Sequence, residues 1–93
     1  MTISEIRQAI RSVLPFYPIK KVTLFGSRAD GTNRADSDVD FIVEFSAPVT
    51  LITIGMLQAQ LEDLLHLKVD IIHGPLQSTD MIEVNKEIEL YAA

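Results

Sequence analysis

The chain has 93 residues with 47% hydrophobic content and no cysteine, which predicts a single domain over residues 1–93 and excludes disulfides and thiolate metal sites. Its net charge of -5 gives a field that repels polyanions, so direct nucleic-acid binding is not expected. No apolar run approaches the roughly 20 residues of a membrane-spanning helix and no signal-peptide pattern begins the chain, so we expect a cytoplasmic protein with no membrane contact.

The first half of the chain predicts one helix followed by two strands. Thr2, with Glu5 three residues later, forms a capping box that begins the helix. Pro15 ends the helix, because proline lacks the amide donor that a helix interior needs. Residues 20–25, which end in a β-prone Val-Thr-Leu-Phe run, then predict a first strand, and the alternating residues 38–45 predict a second.

The second half predicts a helix, a strand and a further helix. Thr50 caps a helix that runs to about Leu67, and residues 68–73 form a third strand that Gly74 and Pro75 close. A last helix starts at Ser78 or Thr79, with an apolar stripe made of Met81, Val84, Ile88 and Tyr91. Three strands with helices packed on the sheet, an α/β (α+β) fold, is the simplest architecture that fits this order.

Three aspartates in two predicted strands form the candidate catalytic site. Asp38 and Asp40 are two residues apart, so the alternation of a strand places both on one sheet face. If the third strand is a neighbour, Asp70 converges on them, and like charges that close oppose folding unless a cation is bound. Mg²⁺ prefers one or two carboxylates together with substrate phosphates, and two such ions can clamp an in-line phosphoryl displacement.

The glycine-serine turn after the first strand is the candidate nucleotide-binding segment. Gly26 lets the backbone approach a triphosphate closely, and the Ser27 hydroxyl and the following amides can bind phosphate oxygens. Arg28 can neutralise charge on the same phosphates. Residues 27–37 are predicted to form a short helical turn or loop, and the site as a whole predicts binding of a nucleoside triphosphate.

These residues resemble a known family. Gly26-Ser27, ten intervening residues and Asp38-Val39-Asp40 match the signature of the DNA polymerase beta-like nucleotidyltransferase superfamily. The flanking sequences LFGSRADG, SDVDFIVEF and KVDII are similar to those of its smallest members, the minimal nucleotidyltransferase (MNT) proteins. The resemblance covers nearly the whole chain. The chain departs from the family pattern at Asp30, where relatives often carry a basic residue.

The resemblance implies a fold, a set of site residues and a partner. It implies a nucleotidyltransferase fold with a mixed sheet flanked by helices, Asp38 and Asp40 as metal ligands, and triphosphate contacts from Gly26 and Ser27. Asp70 matches the third acid, which helps to bind metal and to activate the incoming hydroxyl. Many MNT proteins are antitoxins of type VII systems encoded beside a HEPN ribonuclease toxin, with which a hetero-oligomer is expected, and some transfer AMP from ATP to a toxin tyrosine.

Other interpretations of the same residues are weaker or remain open. A calcium loop of the D-x-D-x-D type would need glycine where Phe41 stands and glutamate where Ala47 stands, so it is rejected. His66 and His73 flank the third strand without matching carboxylate spacing, which favours surface or helix-end positions. Two other functions stay open: an antitoxin that neutralises its toxin by binding alone, and a nucleotidyltransferase acting on a small molecule of the aminoglycoside type.

Overall fold

The computed structural model describes residues 2–26, 38–74 and 87–93. Its elements are α1 (Ile3–Val13) with a 3₁₀ turn (Leu14–Phe16), β1 (Ile19–Phe25), β2 (Val39–Phe45), α2 (Leu51–Leu65), β3 (Val69–His73) and β4 (Glu87–Ala92). The four strands in these ranges form one sheet in the order β3-β2-β1-β4. In the same ranges no helix is long and apolar enough to cross a membrane.

Helix α1 begins and ends where the sequence predicts. The Thr2 hydroxyl accepts a hydrogen bond from the Glu5 amide at 3.2 Å, which satisfies one of the free donors of the first turn. Pro15 lies in the 3₁₀ turn that follows, where its missing amide costs no helical hydrogen bond. The buried residues of α1 recur at helical spacing and join the core: Ile6, Ala9, Ile10 and Val13.

Helix α2 is capped as predicted but ends two residues earlier than expected. The Thr50 hydroxyl accepts a hydrogen bond from the Thr53 amide at 3.2 Å. The helix ends because His66 adopts a left-handed backbone conformation, with φ 56°. Its buried residues are Leu57, Leu61 and Leu65. Leu64, next to Leu65 in the same turn, is 46% exposed.

The backbone of His66 gives the first prediction. Left-handed angles cost a residue with a Cβ roughly 1–2 kcal/mol, and glycine avoids most of this cost at the expense of a more flexible unfolded chain. We therefore expect His66→Gly to raise the free energy of unfolding by about 0.5–1 kcal/mol, measured by urea denaturation. His66→Asn should fall between glycine and wild type, and a loss of stability in His66→Gly would contradict this account of the helix end.

Strand β4 corrects the prediction of a last helix. Residues 87–92 are extended and pair antiparallel with β1, with Val22 opposite Tyr91 and Leu24 opposite Ile88. Without this strand, one edge of β1 would leave its backbone donors and acceptors without a strand partner. The sheet therefore has four strands in the described ranges, where the sequence predicts three. The predicted start of that helix, with Met81 and Val84, lies outside the described residues.

The core occupies one side of the sheet and leaves the aspartates on the other. Val39, Phe41 and Val43 alternate along β2 and are fully or almost fully buried, in a cluster that includes residues from both helices. Alternation turns Asp40 away from this cluster. Since β2 and β3 are parallel, α2 is the crossover that connects them, and it contacts β3 as well as α1.

Candidate active site

The pairing of β2 with β3 brings two of the predicted site residues together. The two strands are parallel neighbours, and their register places Asp40 opposite Asp70. The Val39 amide donates a hydrogen bond to the Lys68 carbonyl at 2.9 Å, which fixes the start of this pairing. Asp38 immediately precedes β2 and is exposed. The condition that these two strands are neighbours is therefore met.

The electrostatic environment of Asp40 reports the proximity of the other two acids. Burial raises the pKa of the Asp40 carboxyl above its usual value, and the negative charges of Asp70 and Asp38 raise it further, in that order. A side-chain hydrogen bond with Asp70 also raises the Asp40 pKa, because it favours the protonated form of the Asp40 carboxyl. The three neighbouring carboxyls therefore form a site with an excess of negative charge, which a cation would stabilise.

The raised pKa predicts how stability depends on pH in metal-free buffer. Asp40 binds its proton more tightly in the folded state, so its contribution to stability is greatest below the usual pKa of 3.8 and is lost as pH rises through the raised value. We expect metal-free Asp40→Asn to be more stable than wild type at neutral pH. This difference should vanish as pH falls below 3.8. Paired thermal melts across pH in EDTA measure it, and a difference independent of pH would contradict the assignment.

Gly26 lies directly against the Asp40 carboxylate. It directly follows β1, whose last residue, Phe25, pairs with Asp40 across the antiparallel β1–β2 ladder. Its φ is +79°, a conformation that glycine adopts easily and other residues rarely adopt. A Cβ built on Gly26 would stand 2.8 Å from Asp40 Oδ2. The glycine turn and the acid pair therefore share one small region. The other predicted phosphate contacts, Ser27 and Arg28, lie outside the described residues.

The donor set fits Mg²⁺ that is bound together with phosphate. Among the described residues, no three His, Asp or Glu side chains form a ready-made ligand cluster. Mg²⁺ does not require one, because it is usually held by one or two carboxylates and completed by water and substrate phosphates. Asp40 and Asp70 supply two hard oxygen donors on adjacent strands, and Asp38 supplies a third at the exposed end of β2.

The two histidines do not join this site. His66 ends α2 and is exposed, which agrees with the predicted helix-end position. His73 is exposed at the end of β3, where its ring lies 5.5 Å from the ring of Phe45. Neither residue forms a metal-ligand group with the aspartates in the described part of the chain.

One residue near the acids has a contact that sequence reasoning missed. Glu62, in the last turn of α2, accepts a hydrogen bond from the Val69 amide through Oε2 at 3.0 Å. Val69 is the first residue of β3 and precedes Asp70. The sequence carries only a weak signal for this contact, since an acid in a helix that contains other polar residues is normally solvated.

A cleft between the helices lies apart from the aspartates. It has a volume of about 370 Å³ and is lined by Glu5, Gln8, Ala9, Ser12, Leu64 and Leu65. These residues belong to α1 and to the end of α2, on the helical side of the sheet. The candidate active site is therefore defined by its donor groups and not by this cleft.

Solved structures share this fold. A toxin-antitoxin crystal structure with AMP-PNP aligns with a TM-score of 0.76 at 23% identity, covering 100% of this chain and 75% of the other. A structure of the tri-AMPylated HEPN toxin of Shewanella oneidensis in complex with MNT antitoxin aligns at 0.72 with 19% identity, covering 99% and 74%. At these identities the similarity establishes the nucleotidyltransferase fold.

Sequence similarity establishes the family. Protein adenylyltransferase MntA of Thermococcus cleftensis is 30% identical over 76 residues, which cover 77% of each chain. The family model described as polymerase beta, nucleotidyltransferase, matches residues 8–90 and thus most of the chain. The aspartates and the glycine turn that the sheet brings together all fall within the matched residues. The chain therefore belongs to the polymerase beta nucleotidyltransferase family and is a nucleotidyltransferase.

Proposed function

We propose that this chain is a single-domain, Mg²⁺-dependent protein adenylyltransferase that transfers AMP from ATP to a tyrosine hydroxyl of a HEPN-type ribonuclease toxin. It would act in the cytoplasm as the antitoxin of a type VII toxin-antitoxin pair. The proposal is supported by the relative named protein adenylyltransferase MntA. It is also supported by the fold shared with an MNT antitoxin bound to a tri-AMPylated toxin and with a toxin-antitoxin structure that contains AMP-PNP.

The observation that carries the proposal is the placement of Asp40 opposite Asp70 across two parallel strands. Burial and neighbouring carboxylates raise the Asp40 pKa, which destabilises the chain when no cation is bound. A carboxyl pair that destabilises the metal-free chain is typical of a functional site. A divalent ion and a polyphosphate would complete this site and offset the repulsion between the carboxyls.

The proposed reaction is an in-line displacement at the α-phosphorus of ATP. The tyrosine oxygen forms a bond to this phosphorus while the bond to the bridging oxygen of the β-phosphate breaks, and pyrophosphate leaves with that electron pair. Asp70 accepts the tyrosine proton as the new bond forms. Asp38 and Asp40 would hold Mg²⁺, which would supply charge neutralisation in the displacement.

The phosphate-binding role falls on the turn after β1. Gly26 has no side chain between the backbone and the acid pair, so a triphosphate can approach both. We assign contacts with the β- and γ-phosphates to the Ser27 hydroxyl and to the Arg28 guanidinium, as a charge-assisted interaction. The triphosphate then lies with its α-phosphate next to Asp40, within reach of a hydroxyl activated by Asp70.

The charge of the chain favours a protein substrate. A net charge of -5 repels nucleic acids, and the described residues present three acids around the proposed reaction centre. A partner protein can bring its own hydroxyl and complementary surface to the site. A hetero-oligomer with the toxin is therefore the expected functional state.

Intact mass spectrometry of the toxin candidate encoded beside this chain tests the proposal. The toxin is incubated with the purified chain, ATP and Mg²⁺, and its mass should increase by whole AMP units. Tandem mass spectrometry should place each AMP group on a tyrosine. The control is the double variant Asp38→Ala, Asp40→Ala, which should leave the toxin mass unchanged.

The alternatives predict different results in the same experiment. An antitoxin that acts by binding alone predicts unchanged toxin mass with the toxin inhibited equally by wild type and the double variant. A small-molecule nucleotidyltransferase predicts an unchanged toxin and a labelled low-molecular-weight product from radioactive ATP in a cell extract. Either result would overturn the proposed protein substrate while leaving the family assignment intact.

A further inference from the structure

The peptide group between Lys68 and Val69 is held from both sides. Its carbonyl, on Lys68, accepts a hydrogen bond from the Val39 amide of β2 at 2.9 Å. Its amide, on Val69, donates a hydrogen bond to Glu62 Oε2 at 3.0 Å. One rigid peptide unit therefore connects the end of α2, through a side chain, to the first residue of β2.

This peptide unit lies next to both members of the acid pair. Asp70 follows Val69 in β3, and Asp40 follows Val39 in β2. A rotation of the peptide would tilt the start of β3 and change the separation of the two carboxyls. The contact with Glu62 opposes that rotation, because it fixes the direction of the amide while Val39 fixes the direction of the carbonyl.

Glu62 is itself anchored by the end of its helix. Its carbonyl accepts a hydrogen bond from the His66 amide at 2.8 Å, in the last turn of α2. Its side chain is partly buried, and it reaches the Val69 amide across the tight connection between α2 and β3. β3 is an edge strand in the described sheet, with β2 as its neighbour, so a side-chain acceptor at its first amide adds to the constraint that the ladder provides.

We infer that Glu62 is a positioning residue, which holds the start of β3 so that Asp70 lies opposite Asp40. The inference rests on the proposed function, in which Asp70 accepts the proton of the incoming hydroxyl. Glu62 does not touch the substrate in this account. Its role requires a hydrogen-bond acceptor and not a negative charge, so glutamine at this position should replace it and alanine should not.

Two measurements test the inference on the full chain. Hydrogen exchange followed by NMR reports the Val69 and Val39 amides, and exchange at both should be at least roughly tenfold faster in Glu62→Ala than in wild type. Steady-state kinetics should show kcat reduced roughly tenfold to a hundredfold in Glu62→Ala, with the KM for ATP changed much less. Glu62→Gln should retain wild-type exchange and kcat.

The matched control is Asp63→Ala, which removes an acid from the adjacent exposed position of the same helix. It should match wild type in both measurements. Unchanged exchange of Val69 in Glu62→Ala would overturn the inference, and so would faster exchange with an unchanged kcat per folded molecule. If wild type transfers no AMP, the proposed function fails, while faster exchange in Glu62→Ala alone would still establish that Glu62 holds β3.

Discussion

Replacement of Asp40 by asparagine is expected to reduce the proposed AMP transfer by roughly a thousandfold or more, because Asp40 is a proposed metal ligand and such a ligand supplies several kcal/mol of transition-state stabilisation. Asparagine keeps the size of the side chain and removes its charge, so the fold should be retained. Asp40 lies opposite Asp70 and against Gly26, and burial and both neighbouring acids raise the pKa of its carboxyl. The rate of toxin modification by mass spectrometry measures the effect.

Glu44→Gln is the matched control for Asp40→Asn. Glu44 lies on the same strand and the same sheet face, four residues further along β2, where it pairs with Lys21 of β1. The Glu44→Gln variant should transfer AMP at the wild-type rate, since residue 44 is separated from the acid pair by about 13 Å of strand. Equal losses in both variants, or a normal rate in Asp40→Asn, would show that the transfer does not depend on this carboxylate.

Gly26→Ala is expected to have the second-largest effect, on both stability and activity. Alanine at φ +79° is strained by roughly 1–2 kcal/mol, so the free energy of unfolding should fall by about that amount. Its Cβ would stand 2.8 Å from Asp40 Oδ2, so the carboxylate must move. A displacement of about 1 Å at a reacting centre costs roughly a hundredfold in rate, which we expect to observe in kcat.

Gly55→Ala separates these effects from the general consequence of adding a methyl group. Gly55 lies inside α2, and a Cβ built there meets no atom within 4 Å. The substitution should stabilise the chain by roughly 1 kcal/mol, because alanine has the higher helix propensity, and should leave transfer unchanged. Urea denaturation of both variants gives the comparison. A stable, active Gly26→Ala would contradict the close packing of the turn against the acids.

The parts of the fold that local chemistry determines could be predicted from the sequence. Thr2 and Thr50 cap their helices as expected, because each hydroxyl accepts a hydrogen bond from a free amide of the first helical turn. Alternation places Asp40 on the face away from the core, while Asp38, predicted inside the same strand, immediately precedes that strand. The proximity of Asp70 was conditional on strand order, and the parallel pairing of β2 with β3 provides it.

The last element could not be predicted correctly because two periodicities coincide in it. Ile88 and Tyr91 continue a helical spacing from Met81 and Val84, which favoured a helix. The alternation of Glu87, Ile88, Glu89 and Leu90 fits a strand equally well, and Leu90 is buried in the sheet. The decisive factor is the open edge of β1, a property of the assembled sheet that no local pattern contains. The position of Glu62 depends on the same kind of long-range arrangement.

The central position of β1 has a consequence for the order of events during synthesis. β1 pairs with residues that follow it closely, in β2, and with residues near position 90, in β4. Such distant pairing makes folding slow relative to helical proteins of the same size. Asp38, Asp40 and Asp70 are thus synthesised before β4, the strand that completes their sheet. A nascent chain should carry every proposed metal ligand and yet remain unable to consume ATP until residues 87–92 have emerged and docked.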